Sequence, residues 1–204
     1  MLAEVPASED ENAARAAIEQ AGAALAERRG DIPATFVVRL FSRTVAEDVL
    51  RYSVTNLAEL AERAYDFLKE RQPGAPKIRC ETVALEESGA RKSVSVIEIV
   101  NDDMPFLFDS VMGELADRRL TVQLVAHPVF GVWRDGPNLA VLGAPDAAGS
   151  ARESFIYIHL EPIADEAARA DIVRALGEVL GEVRLAVQDW RAMLERANGI
   201  VADL

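Results

Sequence analysis

The hydrophobic spacing of this chain changes period at "RQPGAP" (71–76), and that change limits what it can fold into. Ahead of it, Leu57, Leu60, Ala61, Ala64, Phe67 and Leu68 recur as one 3.6-period stripe. Behind it, "KIRCETVA" alternates, with Ile78, Cys80 and Thr82 on one side, and "SVSVIEIV" is a β-branched run suited to a strand. A helical segment therefore precedes a part that mixes strands with helices, which is an α+β chain.

Residues 1–10 read as a disordered lead-in and 11–72 as a helical N-terminal segment. Ile18, Ala21 and Leu25 share an apolar stripe. "TFVVRLFS" fits a strand or a helix, and Asp31 as cap with Pro33 in the first turn favours the helix. Thr44 with Glu47, and Asn56 with Glu59, have capping-box spacing.

Residues 77–181 read β-β-α-β-β-α. "LEESGARK" joins the first two strands as a hairpin loop. Met104, Leu107, Phe108, Val111, Met112 and Leu115 share one face of a helix expected from Met104 to Arg119. "LTVQLVAHPVFGVW" is a strand that Pro128 confines to an edge or bulge. "LAVL" pairs back, and "ESFIYIHL" alternates Ile156, Ile158 and Leu160 with Phe155, Tyr157 and His159. Asp165 caps the last helix of this part. The 182–204 stretch reads as a C-terminal helix or linker, with strand-like alternation in "EVRLAVQ" but a helical stripe through Val183, Ala186, Val187, Trp190, Met193 and Leu194. Gly181 is expected to break it from the helix before. The expected fold is an antiparallel sheet with helices on one face, preceded by the helical segment.

The charge balance excludes a nucleic-acid surface. Lys and Arg number 22 against 34 Asp and Glu, a net charge of −12, and phosphate binding needs a concentrated basic patch. No apolar run approaches the roughly 18 residues of a membrane span. One cysteine, Cys80, allows no internal disulfide and no thiolate cluster for zinc, and a reducing cytoplasm is the default location. No GxGxxG, GxxxxGK[ST] or G-x-S-x-G pattern occurs. No catalytic residue and no metal site are assigned.

"IEIVNDDMPFLFDS" (97–110) carries the densest group of carboxylates. Asp102 and Asp103 read first as a strand end and helix N-cap, Pro105 as a first-turn residue, and Asp109 as a separate surface residue. Adjacent strand residues point to opposite sides, so the pair does not converge on one ion. His127 and His159, with Glu98, read as a half-buried sheet face covered by a partner or by the N-terminal helices. Cys80 alternates with charged neighbours as a buried filler does.

The stretch "VIEIVNDDMPFLFDSVMGELADRRLTVQLVAHPVFGVWRDG", flanked by "DFLKERQPGAPKIR" and "EVRLAVQDWRAML", resembles the N-terminal part of the large bacterial NAD-specific glutamate dehydrogenases. The likeness runs from about 34 to 197. It implies an ACT-like (ferredoxin-like) regulatory fold within a longer chain, not an enzyme by itself. The parent would oxidatively deaminate L-glutamate to 2-oxoglutarate and ammonia with NAD; this chain would hold no cofactor. Implied partners are the rest of the parent chain, an amino-acid effector and, in the parent, further copies.

ACT domains carry D-x-P-G-x-L where the first strand meets the first helix, and effectors bind near that corner. The matching residues are Asp103, Met104, Pro105, Phe106, Leu107 and Phe108. The resemblance implies an effector site of Asn101, Asp102, Asp103, Met104, Pro105 and Phe106. Phe106 stands where ACT domains have glycine, and its ring either closes the pocket or lines it. If 182 onward is helical, "KIRCETVA" takes the place of the last ACT strand beside "SVSVIEIV". The second sheet face (Val125, His127, Phe155, Tyr157, His159) is the implied interface. Two other readings are a purely structural docking module and a stand-alone metal-dependent enzyme using Asp102, Asp103 or the histidines.

Overall fold

The computed structural model describes residues 8–87 and 90–202. Helix α1 (Glu9–Arg28) starts where Ser8 and Glu11 exchange capping hydrogen bonds, so the expected lead-in already gives way to helix at Glu9. Its earlier part, 1–7, lies outside the described residues. Helix α2 (Ala34–Phe41) follows Pro33 and confirms the helical reading of "TFVVRLFS". Asp31 is not its cap, because Arg29 and Lys69 hold that carboxylate. The two expected capping boxes are not formed. Helix α3 (Ala46–Val49) has no side-chain cap, and α4 (Val54–Leu68) is capped by Ser53, which accepts the Asn56 N–H at 3.1 Å. An earlier Ser thus starts the helix and leaves Asn56 buried within it.

Strands β1 (Lys77–Glu87) and β2 (Ala90–Asp102) form the expected antiparallel hairpin, and they run through most of the stretch expected as its loop. Helix α5 (Leu107–Asp117) comes next. The single strand expected around Pro128 is two, β3 (Val122–Ala126) and β4 (Val129–Asp135). Both lie along one edge of β6 (Ala151–Leu160), where Val125 pairs with Ile158 and Val129 with Ser154. Pro128, lacking an N–H, interrupts the ladder but accepts the Phe155 N–H at 2.9 Å. Strand β5 (Asn138–Gly143) pairs back on β4. The order is β1-β2-β6-β4-β5, with β3 also on β6. Strand β1 therefore occupies the place beside β2 expected for it.

Helix α6 (Glu166–Ala202) runs through Gly181 without the expected break. Ile172, Leu176, Leu180, Val183 and Val187 keep one buried stripe across that position. Their packing outweighs the roughly 1 kcal/mol that a helical glycine costs. Ala186 and Trp190, expected on the same stripe, are instead exposed, and the side chains of Met193 and Leu194 lie outside the described residues. Among those described, no helix is long and apolar enough to cross a membrane.

The fold is α+β and ACT-like, with α5 and α6 on one sheet face over Ile97, Ile99, Ile156, Ile158 and Leu160. The helical segment covers the other face, where Phe155, Tyr157 and His159 are at most 1 % exposed. Each meets an aromatic ring of that segment: Phe67 stacks on Phe155, Phe41 meets Tyr157 edge-on, and Tyr52 meets His159 edge-on. Such pairs add about 0.5–1.5 kcal/mol each beyond area burial. The expected interface is corrected here, because the chain's own helices take up these three residues.

Two buried titratable groups share this face. Burial pushes the Glu98 carboxyl up from 4.5 to about 7, although Arg79 donates to it from 2.6 Å. Burial pushes His159 down from 6.5 to about 3. Between pH 4.5 and 7 the folded chain keeps a Glu98 proton that the unfolded chain releases, so this group lowers stability as pH rises. Between pH 3 and 6.5 the unfolded chain binds a proton that His159 refuses, so this group raises stability with pH. The two oppose each other from pH 4.5 to 6.5. In Glu98→Gln, urea denaturation should show stability climbing more steeply than in wild type across that window, by up to about 1.4 kcal/mol per pH unit. Identical profiles in the two proteins would contradict the assignment.

Candidate functional site

Strand β2 ends in a corner built by arginines from four parts of the chain. Opposite Asp102 in the ladder lies Glu153 of β6, only 3 % exposed. Arg134 of β4 grips Glu153 with two parallel bonds, Nε at 2.8 Å and Nη2 at 2.7 Å. Arg71, just after α4, adds a third from Nη1 at 2.7 Å. Such forked pairs are among the stronger protein hydrogen bonds. Carbonyls take further donors: Arg71 Nε bonds Ala75, and Arg134 bonds Leu68 and Pro137.

The expected site residues are arranged around this lock. Asn101 is buried, and its Oδ1 accepts from Arg184 of α6 at 3.0 Å. Asp102 accepts from Arg71 at 2.7 Å and Arg184 at 2.9 Å. Burial pushes its carboxyl up, but these two arginines outweigh burial and hold it below the ordinary range. Asp103 donates its N–H to the Arg152 carbonyl and accepts from the Arg152 side chain at 3.0 Å. Neither aspartate caps α5, which corrects the N-cap reading: arginines have taken both carboxylates. Asp109 is exposed, as expected, but it lies in the first turn of α5, which begins at Leu107 and not at the expected Met104.

Met104 packs against the α5/α6 core, and Pro105 leads into Phe106 at φ 68°, ψ −3°. Proline followed by a left-handed residue is the pattern of a type II turn, which favours glycine at the second place. Phe106 thus holds the backbone shape of the glycine it replaces. Phe106 is 64 % exposed, so its ring does not close a pocket over the corner. The first turn of α5 has no side-chain cap.

The histidines do not converge. His127 stacks on Phe108 of α5 with centroids 5.1 Å apart, and its Nε2 lies 2.6 Å from Ser154 Oγ. His159 lies on the opposite face, its Nδ1 2.7 Å from the Tyr52 hydroxyl. Val125 is half-buried on the α5/α6 side, away from Phe155 and Tyr157. Among the described residues no group of three His, Cys, Asp or Glu could hold a metal ion. Burial pushes the Cys80 thiol up to about 11, which disfavours a nucleophilic thiolate. Sequence reading missed Arg71, Arg134, Arg152, Arg184 and Glu153. The one available signal was Glu153 just ahead of the apolar run Phe155–Ile158 in β6.

Three substitutions test the corner. Arg71→Ala should lower stability by about 3 kcal/mol or more, because it strips a partner from the buried Glu153. Arg152→Ala, at an exposed pair, should cost under about 1 kcal/mol. Phe106→Gly should raise stability by about 1 kcal/mol by relieving the left-handed conformation. Urea midpoints measured at constant slope check all three.

Residues 36–176 match the family described as glutamate dehydrogenase, ACT1 domain. Among curated proteins, the chain is 34 % identical over 169 residues to an NAD-specific glutamate dehydrogenase of Halomonas elongata, covering 76 % of this chain and 10 % of that protein. It is 26 % identical over 185 residues to an NAD-specific glutamate dehydrogenase of Pseudomonas aeruginosa, covering 87 % and 11 %. The chain thus spans about a tenth of the length of these relatives. No solved structure matches it. With the family match covering the ACT-like sheet and both of its inner faces, this chain belongs to the ACT1 domain family of glutamate dehydrogenases.

Proposed function

We propose that this chain is a non-catalytic regulatory and assembly portion of an NAD-specific glutamate dehydrogenase. In this reading the parent oxidatively deaminates L-glutamate to 2-oxoglutarate and ammonia, with NAD bound elsewhere in the longer chain. It works in the cytoplasm as a homo-oligomer, and this portion packs on the rest of the parent. The observation that carries the reading is the family match across an ACT-like sheet in a chain about a tenth as long as its relatives.

The proposed effector is an amino acid bound at the 101–106 corner. Two features support it. The first turn of α5 is uncapped, so its N–H groups are free of side-chain acceptors. Such a helix start favours a carboxylate. The Phe106 ring points to solvent and leaves the backbone approachable.

A docking role is the second reading, and exposed apolar residues favour it. Phe106, Leu185 and Trp190 are 64 %, 63 % and 57 % exposed. On this reading they contact the rest of the parent chain, in place of the sheet face that the helices already cover.

Calorimetry with a panel of the common amino acids separates the two readings. The effector reading expects saturable heat and a raised melting temperature with at least one of them. No heat and no shift with any of them would remove the effector. If Phe106→Asp in the full-length parent then disrupts assembly, the docking role stands alone.

A further inference from the structure

The C-terminal end of α2 faces the β3–β4 kink across an open cavity of about 460 Å³. Its walls carry Arg39 and Arg43 from α2 and the turn after it, His127 at the kink, Arg152 from β6, and Asp146 from the loop after β5. In a chain of net charge −12, three arginines around one cavity stand out. Among the described residues, Arg39 and Arg43 make no side-chain hydrogen bond or ion pair. Arg39 lies in the last turn of α2 and Arg43 two residues beyond its end, and both line the same cavity.

The third arginine already holds a carboxylate. Arg152 donates to Asp146 at 2.8 Å from one nitrogen and to Asp103 at 3.0 Å from another. Asp103 belongs to the strand end, whereas the Asp146 side chain is 88 % exposed on its loop. That loop lies over β4 because Gly131 has no side chain; a Cβ there would stand 2.0 Å from the Ala144 carbonyl oxygen. Asp146 therefore occupies a carboxylate position at one wall, with two unpaired guanidiniums at the other.

We propose that this cavity binds a small dicarboxylate, one carboxylate replacing Asp146 on Arg152 and the other meeting Arg39 and Arg43. The volume falls within the roughly 300–1,000 Å³ of small-molecule sites. Guanidiniums recognise carboxylate and phosphate alike. Division of the arginines between two walls, and the carboxylate already seated at one, favour two linked carboxylates over a single phosphate. This cavity meets the 101–106 corner at the Arg152–Asp103 bond, and a ligand without an amino group keeps its test distinguishable from that of the amino-acid reading.

The test titrates succinate, acetate and inorganic phosphate into the 204-residue chain, with sodium chloride holding ionic strength constant. Succinate should give saturable heat and raise the melting temperature. Acetate should bind at least about tenfold more weakly, since it engages one wall only. The Arg39→Gln/Arg43→Gln double variant should weaken succinate binding at least about tenfold, the loss expected for charged hydrogen bonds. Asp146→Asn should tighten binding severalfold by removing the internal competitor. These positions are exposed or half-exposed, so circular dichroism and the unliganded melting temperature should match wild type. Absence of saturable succinate heat, or binding unchanged in the double variant, would overturn the site. Arginine-dependent phosphate binding without succinate binding would overturn the dicarboxylate assignment.

Discussion

Glu153 is a carboxylate in the middle of a sheet, and much of the molecule is arranged to make that tolerable. Burying an ion is costly unless its charge and lone pairs are met. Here three guanidinium bonds meet them, from Arg71 and Arg134. Glu153 pairs with Asp102 of β2 on one side and Phe130 of β4 on the other, so the lock lies where three strands join. Arg71 comes from the connection leaving α4, and Arg134 reaches back to the Leu68 carbonyl at the end of that helix. One ionic cluster thereby fixes the helical segment to the strands it precedes. The same Arg71 holds Asp102, which sets the position of the β2 end and of the turn that follows.

Aromatic packing does the rest of that attachment. A sheet with helices on one side alone would leave Phe155, Tyr157 and Val100 in water, an apolar patch of the kind that drives association. The first four helices bury that patch within the chain. Two cores, one on each side of β2 and β6, share a single sheet. The helical segment and the sheet are therefore interdependent: its stripe of Leu57, Leu60, Ala61, Ala64 and Leu68 has no other apolar surface of this size to cover.

Local physics was readable from the sequence, and long-range pairing was not. The β1–β2 hairpin follows from alternation and β-branching, and the two faces of β6 from strict period two at 155–160. The long stripe of α6 outweighed the strand-like look of "EVRLAVQ". Boundaries failed where an arginine competed for a capping carboxylate. Asp31, Asp102 and Asp103 each suit an N-cap by local chemistry, yet Arg29, Arg71 and Arg152 took them. Of these contacts, Asp102 with Arg71 and Asp103 with Arg152 span 31 and 49 positions, beyond any periodicity. At the corner, the change from strand to helix was legible, but nothing local showed that Phe106 adopts a left-handed backbone with high exposure.

The corner and the cavity are joined through Arg152. Its guanidinium is divided between Asp103, the last residue before the turn, and Asp146, the exposed carboxylate at the cavity wall. An anion that displaces Asp146 leaves Asp103 sharing its arginine with a ligand charge instead of a loop charge. Any change in the Asp103 bond then bears on Met104, Pro105 and the left-handed Phe106, which follow it directly. Coupling of this kind is reciprocal: whatever engages the corner shifts the affinity of the cavity by the same factor. The effect need not involve a large movement, because the lock around Glu153 keeps the strands in place while the exposed carboxylates exchange. A rigid sheet with an exchangeable surface pair at its end is a physical basis on which one small anion could bias the contacts of a module this size.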